Sequence, residues 1–524
     1  MDGLFTYLLL LERCWLWLRQ QTEAVNIHVS LAIIHLHRLH RSCTMAPEIT
    51  GIEPSSLKGM SPDNPDLCTL EATVVTGLED VAAEECKEKL GVTCVQARGR
   101  IFIDVNIADV TKVLLLRSID NVNIVLTMVK NFCFGDQRER CFEQLYKFAE
   151  KQDWRKGMRV WKDIFSYPEE PIKKVVPLKN EYCCPRPDVD LKRMKLSSPI
   201  LENLPESVVP EHLRNDKGLS FVDDSLKQEE NSKEPSSTAA VEAVASGPRF
   251  RVSCSRTGAT HKFGSPEAAR QFGAGVNEMF TWPVDLTNFD LEVLLCIDKE
   301  FVYVAISLTR EPLFKRNLTN FGRTNLRATI CHNMVRLATP QLGEVVLDPM
   351  CGGATIPMEG SLTHSQAFHL GGDNYGQAVK RSRDNINNLL KKGKSMVVDV
   401  AQWDATKLPL RSQCVDVVVS DLPFGKRSGN KADNRVLYYR SLVELARVTK
   451  MKTGRAVLLT YDKGSMIKNI KRVHTLWKSG ASRTVNIGGL PAVIYTLYRT
   501  SQLSLSDCNK DSKASETCTD PNLK

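Results

Sequence analysis

From Arg327 to Arg499 short β-branched apolar runs alternate with amphipathic stretches of helical period, and this alternation leaves few folds open. Strands separated by helices pair in parallel, because a parallel connection needs a crossover of helix length. Strands are read at Val345–Asp348, Phe368–Gly372, Val397–Trp403 and Val415–Ser420. The expected fold class is therefore α/β with a mostly parallel, Rossmann-like sheet. Such sheets bind ligands beyond the carboxyl ends of their strands, so the residues there are the first candidates for function.

Four features fall at those ends. The first strand closes on Asp348 and runs through Pro349, Met350, Cys351, Gly352, Gly353 and Ala354 into a helix near Ile356. Small residues at a strand-to-helix turn let a ligand approach the backbone, with the helix N-terminus behind it. The second strand ends at Asp373 and Asn374, where a carboxylate can accept ribose hydroxyls. The third ends at Asp404 and Ala405, placed for an adenine amino group, and the fourth at Asp421-Leu422-Pro423-Phe424. Any one acid has a bland explanation as a cap; four in register point to a nucleotide-like cofactor.

Asp421-Leu422-Pro423-Phe424 carries the chemistry. An exocyclic base amine is a poor nucleophile because its lone pair is delocalised into the ring. Two acceptors on its hydrogens, the Asp421 carboxylate and the Leu422 carbonyl, turn that lone pair towards a methyl donor. Pro423 stiffens the turn, and Phe424 can stack on an extruded base. Catalysis is then positioning and electrostatics around an in-line displacement.

The rest of the chain reads as handle and linker. Residues 68–165 alternate strands (Leu70–Val75, Arg100–Val105, Asn121–Val129) with helices (Glu79–Leu90, Ile107–Arg117), an α+β pattern. Residues 178–247 are rich in Pro, Ser, Glu and Lys and read as a disordered insertion. Order returns with a strand at Phe250–Cys254, a helix from an N-cap at Ser265 towards Phe280, and a hairpin of Leu291–Ile297 with Phe301–Leu308 about Asp298-Lys299. The first 44 residues read as an upstream-start extension ahead of Met45, and 501–524 as a disordered tail. The formal net charge of +9 favours a polyanionic partner. Lys315, Arg316, Arg323 and Arg327 beside the catalytic half, and Lys426 and Arg427 after the catalytic turn, are the candidates for phosphate contact. The 16 cysteines show no paired metal-ligand spacing, so no metal is expected and a reducing cytosol suits them.

Residues 345–424 resemble the class I S-adenosylmethionine methyltransferase fold, in its branch that methylates amines with an Asp/Asn-Pro-Pro-Phe/Tyr turn. The whole chain is similar to the THUMP-domain tRNA guanine-N2 methyltransferases. The matching residues are Asp348-Pro349-Met350-Cys351-Gly352, Ser420 through Arg427, Asn486-Ile487-Gly488-Gly489-Leu490, Gly77-Leu78-Glu79 with Gly99-Arg100-Ile101-Phe102, and Thr287-Asn288-Phe289-Asp290. The resemblance implies a seven-stranded sheet ending in a hairpin about Gly488-Gly489. It implies an extension at 1–67, a ferredoxin-like unit with the start of a THUMP module at 68–177, the insertion at 178–247, THUMP at 248–315, the methyltransferase domain at 316–500 and the tail. S-adenosylmethionine is the implied methyl donor, tRNA the substrate at its sixth acceptor-stem nucleotide, and a small zinc-binding activator subunit the partner. One departure stands out: Ala354 occupies the place of the family turn's second glycine, and a shifted turn would hand that place to Gly353.

Three rivals compete. The same turn serves adenine N6 or cytosine N4 in DNA, for which the amino-terminal half has no obvious use. A THUMP protein with a decayed methyltransferase domain has Ala354 in its favour and three intact acids against it. A tRNA sulfur-transfer enzyme would need a pyrophosphatase loop and paired cysteines, neither of which is found.

Overall fold

A computed structural model describes residues 46–168, 247–258, 260–322, 325–424 and 431–503. Residues 1–45 of the expected extension, the expected insertion up to 246 and the expected tail beyond 503 lie outside these residues. Residues 46–66, by contrast, carry three short 3-10 turns with Ile49, Ile52 and Leu57 buried. The chain forms two compact units, Met1–Ile124 with Leu308–Lys524, and Val125–Ser307.

The first unit opens with β1 (Leu67–Thr73), α1 (Glu79–Leu90), β2 (Cys94–Ala97), β3 (Arg100–Asn106), the short α2 (Val110–Val113) and β4 (Asn121–Val129), whose last residues pass into the second unit. β1 lies between β3 and β4, β2 flanks β3, and all pairs are antiparallel. Helix α1 starts on Glu79 and Asp80, which suit the positive end of its dipole, and stops at Gly91 in the left-handed region (φ 70°). Only Val110–Val113 of the expected 107–117 helix is α-helical, preceded by a 3-10 turn at Ile107–Asp109. The carbonyls of Leu116 and Ile119 accept from Arg316 instead of continuing the helix.

The second unit holds α3 (Arg138–Glu150), α4 (Trp154–Phe165), β5 (Phe250–Thr257), α5 (Ser265–Phe280), β6 (Leu291–Asp298) and β7 (Phe301–Ser307). β5 and β6 are parallel, and β6 and β7 form the expected hairpin, turning at Lys299-Glu300. The cap of α5 is Gly264, one residue earlier than the sequence suggests, and Glu267 accepts the Gly264 N–H at 2.8 Å. Helices α3 and α5 approach so closely that a Cβ at Gly275 would stand 2.5 Å from the Tyr146 carbonyl oxygen.

The remainder of the first unit is the α/β layer. It runs α6 (Ala328–Ala338), β8 (Val345–Asp348), α7 (Thr355–Thr363), β9 (Phe368–Asp373), α8 (Gly376–Lys391), β10 (Val398–Gln402), β11 (Val417–Asp421), α9 (Lys431–Val448), β12 (Arg455–Thr460), α10 (Lys463–Arg472), β13 (Trp477–Ile487) and β14 (Leu490–Arg499). The order is β10-β9-β8-β11-β12-β14-β13, parallel through β12 and closed by an antiparallel hairpin, as the resemblance implied. Gly488 and Gly489 both have positive φ, which a two-residue hairpin turn requires. The strand order reverses between β8 and β11, so their carboxyl ends flank a crevice.

The amino-terminal sheet region is fastened to this layer through charged and backbone contacts. Arg117 pairs with Glu359 at 2.7 Å, Arg483 with Asp80 at 2.7 Å, and Glu85 meets His332 at 3.3 Å. Asn486 N–H donates to the Thr76 carbonyl, and a Cβ at Gly77 would lie 2.1 Å from the Thr484 carbonyl oxygen. Gly77 is thus a point of contact between two backbones, and Glu79 accepts both the Gly77 and Gly99 N–H groups beside it.

Candidate active site

β8 delivers Asp348 fully buried at the crevice. Its Oδ1 accepts the Ser420 hydroxyl at 2.7 Å and the Met350 N–H at 3.2 Å. Burial outweighs both bonds and pushes its pKa up to about 7. The turn beyond it is held from α8: Ser382 donates to the Gly352 carbonyl and Asn385 to that of Gly353. Cys351 N–H donates to the Gly372 carbonyl, and its side chain is buried.

Gly352 has φ +56°, and beyond its chain neighbours no atom of the described residues lies within 4 Å of where its Cβ would be. That face of the turn is open to close backbone approach by a ligand. Gly353 does not take over the left-handed position, contrary to the shifted-turn expectation; Ala354 occupies it at φ 63°, ψ 26°. Its methyl lies in the apolar cluster with Leu318, Met358, Ile386 and Leu389. A left-handed alanine costs about 1–2 kcal/mol, and burying the methyl returns about 0.8 kcal/mol. Tertiary packing thus tolerates what the local pattern disfavours.

Asp373 accepts the Gly352 N–H through Oδ2 and the Tyr375 N–H through Oδ1, both at 3.0 Å. Each carboxylate oxygen keeps a second lone pair, so the residue can brace the turn and still accept hydroxyls. Asn374 is exposed beside it and accepts from Gln402 through its carbonyl. Asp404 is exposed, with Oδ1 taken by the N–H and hydroxyl of Thr406, while Ala405 is buried. Trp403 donates to the Pro349 carbonyl, and a Cβ at Gly372 would strike its ring at 2.1 Å. The structure therefore brings the three acid-bearing strand ends to one edge of the sheet.

Asp421 ends β11 one strand away. The residue is partly exposed, but its Oδ1 is buried and has no hydrogen-bond partner among the described residues. Burial, and then the charge of Asp348, push its pKa up to about 8. Leu422 is buried and its N–H donates to the Leu459 carbonyl. The Pro423 carbonyl is claimed from α9 by Tyr438 Oη at 2.6 Å and Asn434 Nδ2 at 3.0 Å. Phe424 faces Tyr461 across 6.2 Å. Asn434, Tyr438 and Tyr461 escaped the sequence reading; a Tyr and an Asn at helical spacing on an otherwise apolar face were the available signal.

The basic candidates divide. Lys315 is exposed. Arg316 is removed from phosphate contact, because it spends its guanidinium on the carbonyls of Leu313, Leu116 and Ile119. Arg327 pairs with Asp120 at 3.2 Å and covers the Phe314 ring. Arg323, Lys426 and Arg427 lie outside the described residues.

The chain is similar to known proteins. Residues 316–492 match the RMKL-like methyltransferase domain and 231–307 the THUMP domain. The tRNA (guanine(6)-N(2))-methyltransferase THUMP3 of Bos taurus is 38% identical, over 84% of this chain and 90% of its own length. The chain belongs to the THUMP-domain guanine-N2 methyltransferase family. Two solved structures support the fold of this family member. TrmN from Thermus thermophilus aligns with TM-score 0.54 at 20% identity, covering 83% of this chain and 99% of that one. SMU.472, a putative methyltransferase complexed with SAH, aligns with TM-score 0.54 at 17% identity, covering 84% and 100%. Among the described residues of this family member no helix is long and apolar enough to cross a membrane.

Proposed function

We propose that this chain transfers the methyl group of S-adenosylmethionine to the exocyclic N2 of a guanosine in tRNA, at nucleotide six of the acceptor stem. The observation that carries the reading is the buried, unpartnered Asp421 Oδ1 at the end of β11. A buried carboxylate oxygen is costly to leave unpaired, so its retention suits a hydrogen that arrives with the substrate. The Pro423 carbonyl is already occupied by Tyr438 and Asn434, which fixes the turn and leaves the Leu422 carbonyl as the second acceptor for the amine. Phe424 and Tyr461 offer aromatic surface to an extruded base.

S-adenosylmethionine supplies an electrophilic methyl group. Its fit rests on the open face of Gly352 and on the acids at the neighbouring strand ends, with Asp348, Asp373 and Asp404 and the turn from Met350 to Ala354 as its holders. Asn374 and Ala405 flank those acids. Asp348 fixes the turn through the Met350 N–H, and Asp373 through the Gly352 N–H. For tRNA we assign Lys315, Arg323, Lys426 and Arg427 to phosphates, with Arg327 secondary because Asp120 opposes its charge. A zinc-binding activator subunit has a place at β10, an edge strand beside which Val397 and Phe368 are exposed. A reducing cytosolic compartment suits the free thiols.

The test is methyl transfer from labelled S-adenosylmethionine to unmodified tRNA, with and without the activator, read by nucleoside mass spectrometry. N2-methylguanosine at nucleotide six that disappears in Asp421→Ala is the expected result. Cofactor and tRNA binding without transfer in both arms would return the decayed-domain reading.

A further inference from the structure

Among the described residues two buried carboxylate oxygens have no hydrogen-bond partner: Asp421 Oδ1 and Asp462 Oδ2. They stand at the ends of neighbouring strands. β11 and β12 are parallel, with Asp421 opposite Leu459, so Tyr461 and Asp462 emerge just beyond the same edge of the sheet as the catalytic turn. Tyr461 faces Phe424 of that turn at 6.2 Å.

Asp462 is also bonded into the network that fixes the turn. Its N–H donates to Thr460 Oγ1 at 3.0 Å, Thr460 Oγ1 meets Tyr438 Oη at 2.7 Å, and Tyr438 donates to the Pro423 carbonyl at 2.6 Å. Its Oδ1 is engaged as the cap of α10, accepting the Ser465 N–H at 3.1 Å. The cap therefore locks the side chain and leaves its Oδ2 with no hydrogen to accept among the described residues.

Guanine suits such a pair. Along one edge it presents two adjacent donors, the ring N1–H and the 2-amino group, whereas a purine lacking the 6-oxo group has an unprotonated N1 that accepts. Resting on the functional reading above, we propose that Asp462 is the specificity residue for guanine, accepting the N1–H through Oδ2 while Asp421 and the Leu422 carbonyl hold the 2-amino group. A carboxylate facing an unprotonated N1 would set acceptor against acceptor, so a base with the amine but without the N1–H is rejected.

The experiment compares two tRNA transcripts, carrying guanosine or 2-aminopurine at the methylated position, with full-length enzyme and labelled S-adenosylmethionine. 2-Aminopurine keeps the reacting amine and loses only the N1–H and 6-oxo group. Wild type should prefer guanosine in kcat/KM by about 10- to 100-fold, the worth of a charge-assisted hydrogen bond. Asp462→Asn keeps the helix cap and turns the free acceptor into a donor, so the preference should fall to unity or reverse. A partly unfolded variant slows both substrates alike and cancels from the ratio. An unchanged preference in Asp462→Asn, with guanosine still methylated, overturns the assignment alone. Absence of methylation of either base by wild type overturns the functional reading and this assignment with it.

Discussion

Tyr438 donates its hydroxyl to the carbonyl oxygen of Pro423 at 2.6 Å, so a helix that follows the catalytic turn in sequence holds that turn from behind. Tyr438→Phe removes the donor and leaves both that carbonyl and the Thr460 hydroxyl a partner short. We expect kcat to fall about tenfold, roughly 1.4 kcal/mol of barrier. The Kd for S-adenosylmethionine should stay put in equilibrium binding, because the loss lies at the aim of the amine.

Asp421→Ala should cut kcat by about 10²–10³-fold, the usual scale for removing a preorganised electrostatic group. Single-turnover methylation at saturating cofactor measures it. Asp421→Asn retains one acceptor and should keep more activity than alanine.

The pKa of Asp421 is raised to about 8 and that of Asp348 to about 7, chiefly by burial. An acid raised in the folded state binds more protons folded than unfolded. The contribution of these two groups to stability is therefore greatest below the unfolded carboxylate pKa, about 4, and is lost as pH rises towards 8. Activity runs the other way, since only the ionised Asp421 accepts fully from the amine. We expect kcat/KM of the free enzyme to climb up to about pH 8. Chemical denaturation across pH should show the stability decline softened in Asp421→Asn.

Ala354→Gly should leave cofactor affinity within about threefold, some 0.7 kcal/mol. The alanine methyl sits among apolar side chains, and relief of the left-handed strain is offset by lost burial. A large gain in affinity by calorimetry would show that the methyl obstructs the cofactor.

Lys315→Ala and Arg316→Ala should separate cleanly. The exposed lysine should weaken tRNA binding and flatten its salt dependence without altering Tm. Removing Arg316 strands the Leu116 and Ile119 carbonyls and should cost about 1–3 kcal/mol in chemical unfolding.

The sequence alone carried the parallel α/β layer, because β-branched runs separated by helical periods have few other ways to bury their apolar faces. It also placed Asp348, Asp373, Asp404 and Asp421 at strand ends, and the Gly488-Gly489 hairpin. Local signals misjudged details that non-local contacts decide: the helix after Ile107 is cut short, and the cap of α5 sits at Gly264.

Tertiary structure alone decided which polar atoms are spoken for. Arg316 and Arg327 look alike in sequence, yet one spends its guanidinium on backbone carbonyls and the other bridges to Asp120. Ala354 reads as a defect until its methyl is seen in an apolar cluster. Nothing in the local sequence singles out Asp462, and β12 brings it beside the catalytic turn with its Oδ2 unpartnered among the described residues. Periodicity and turn chemistry act over a few residues and are written locally. Whether a carboxylate is paired, solvated or left waiting depends on neighbours dozens of residues away.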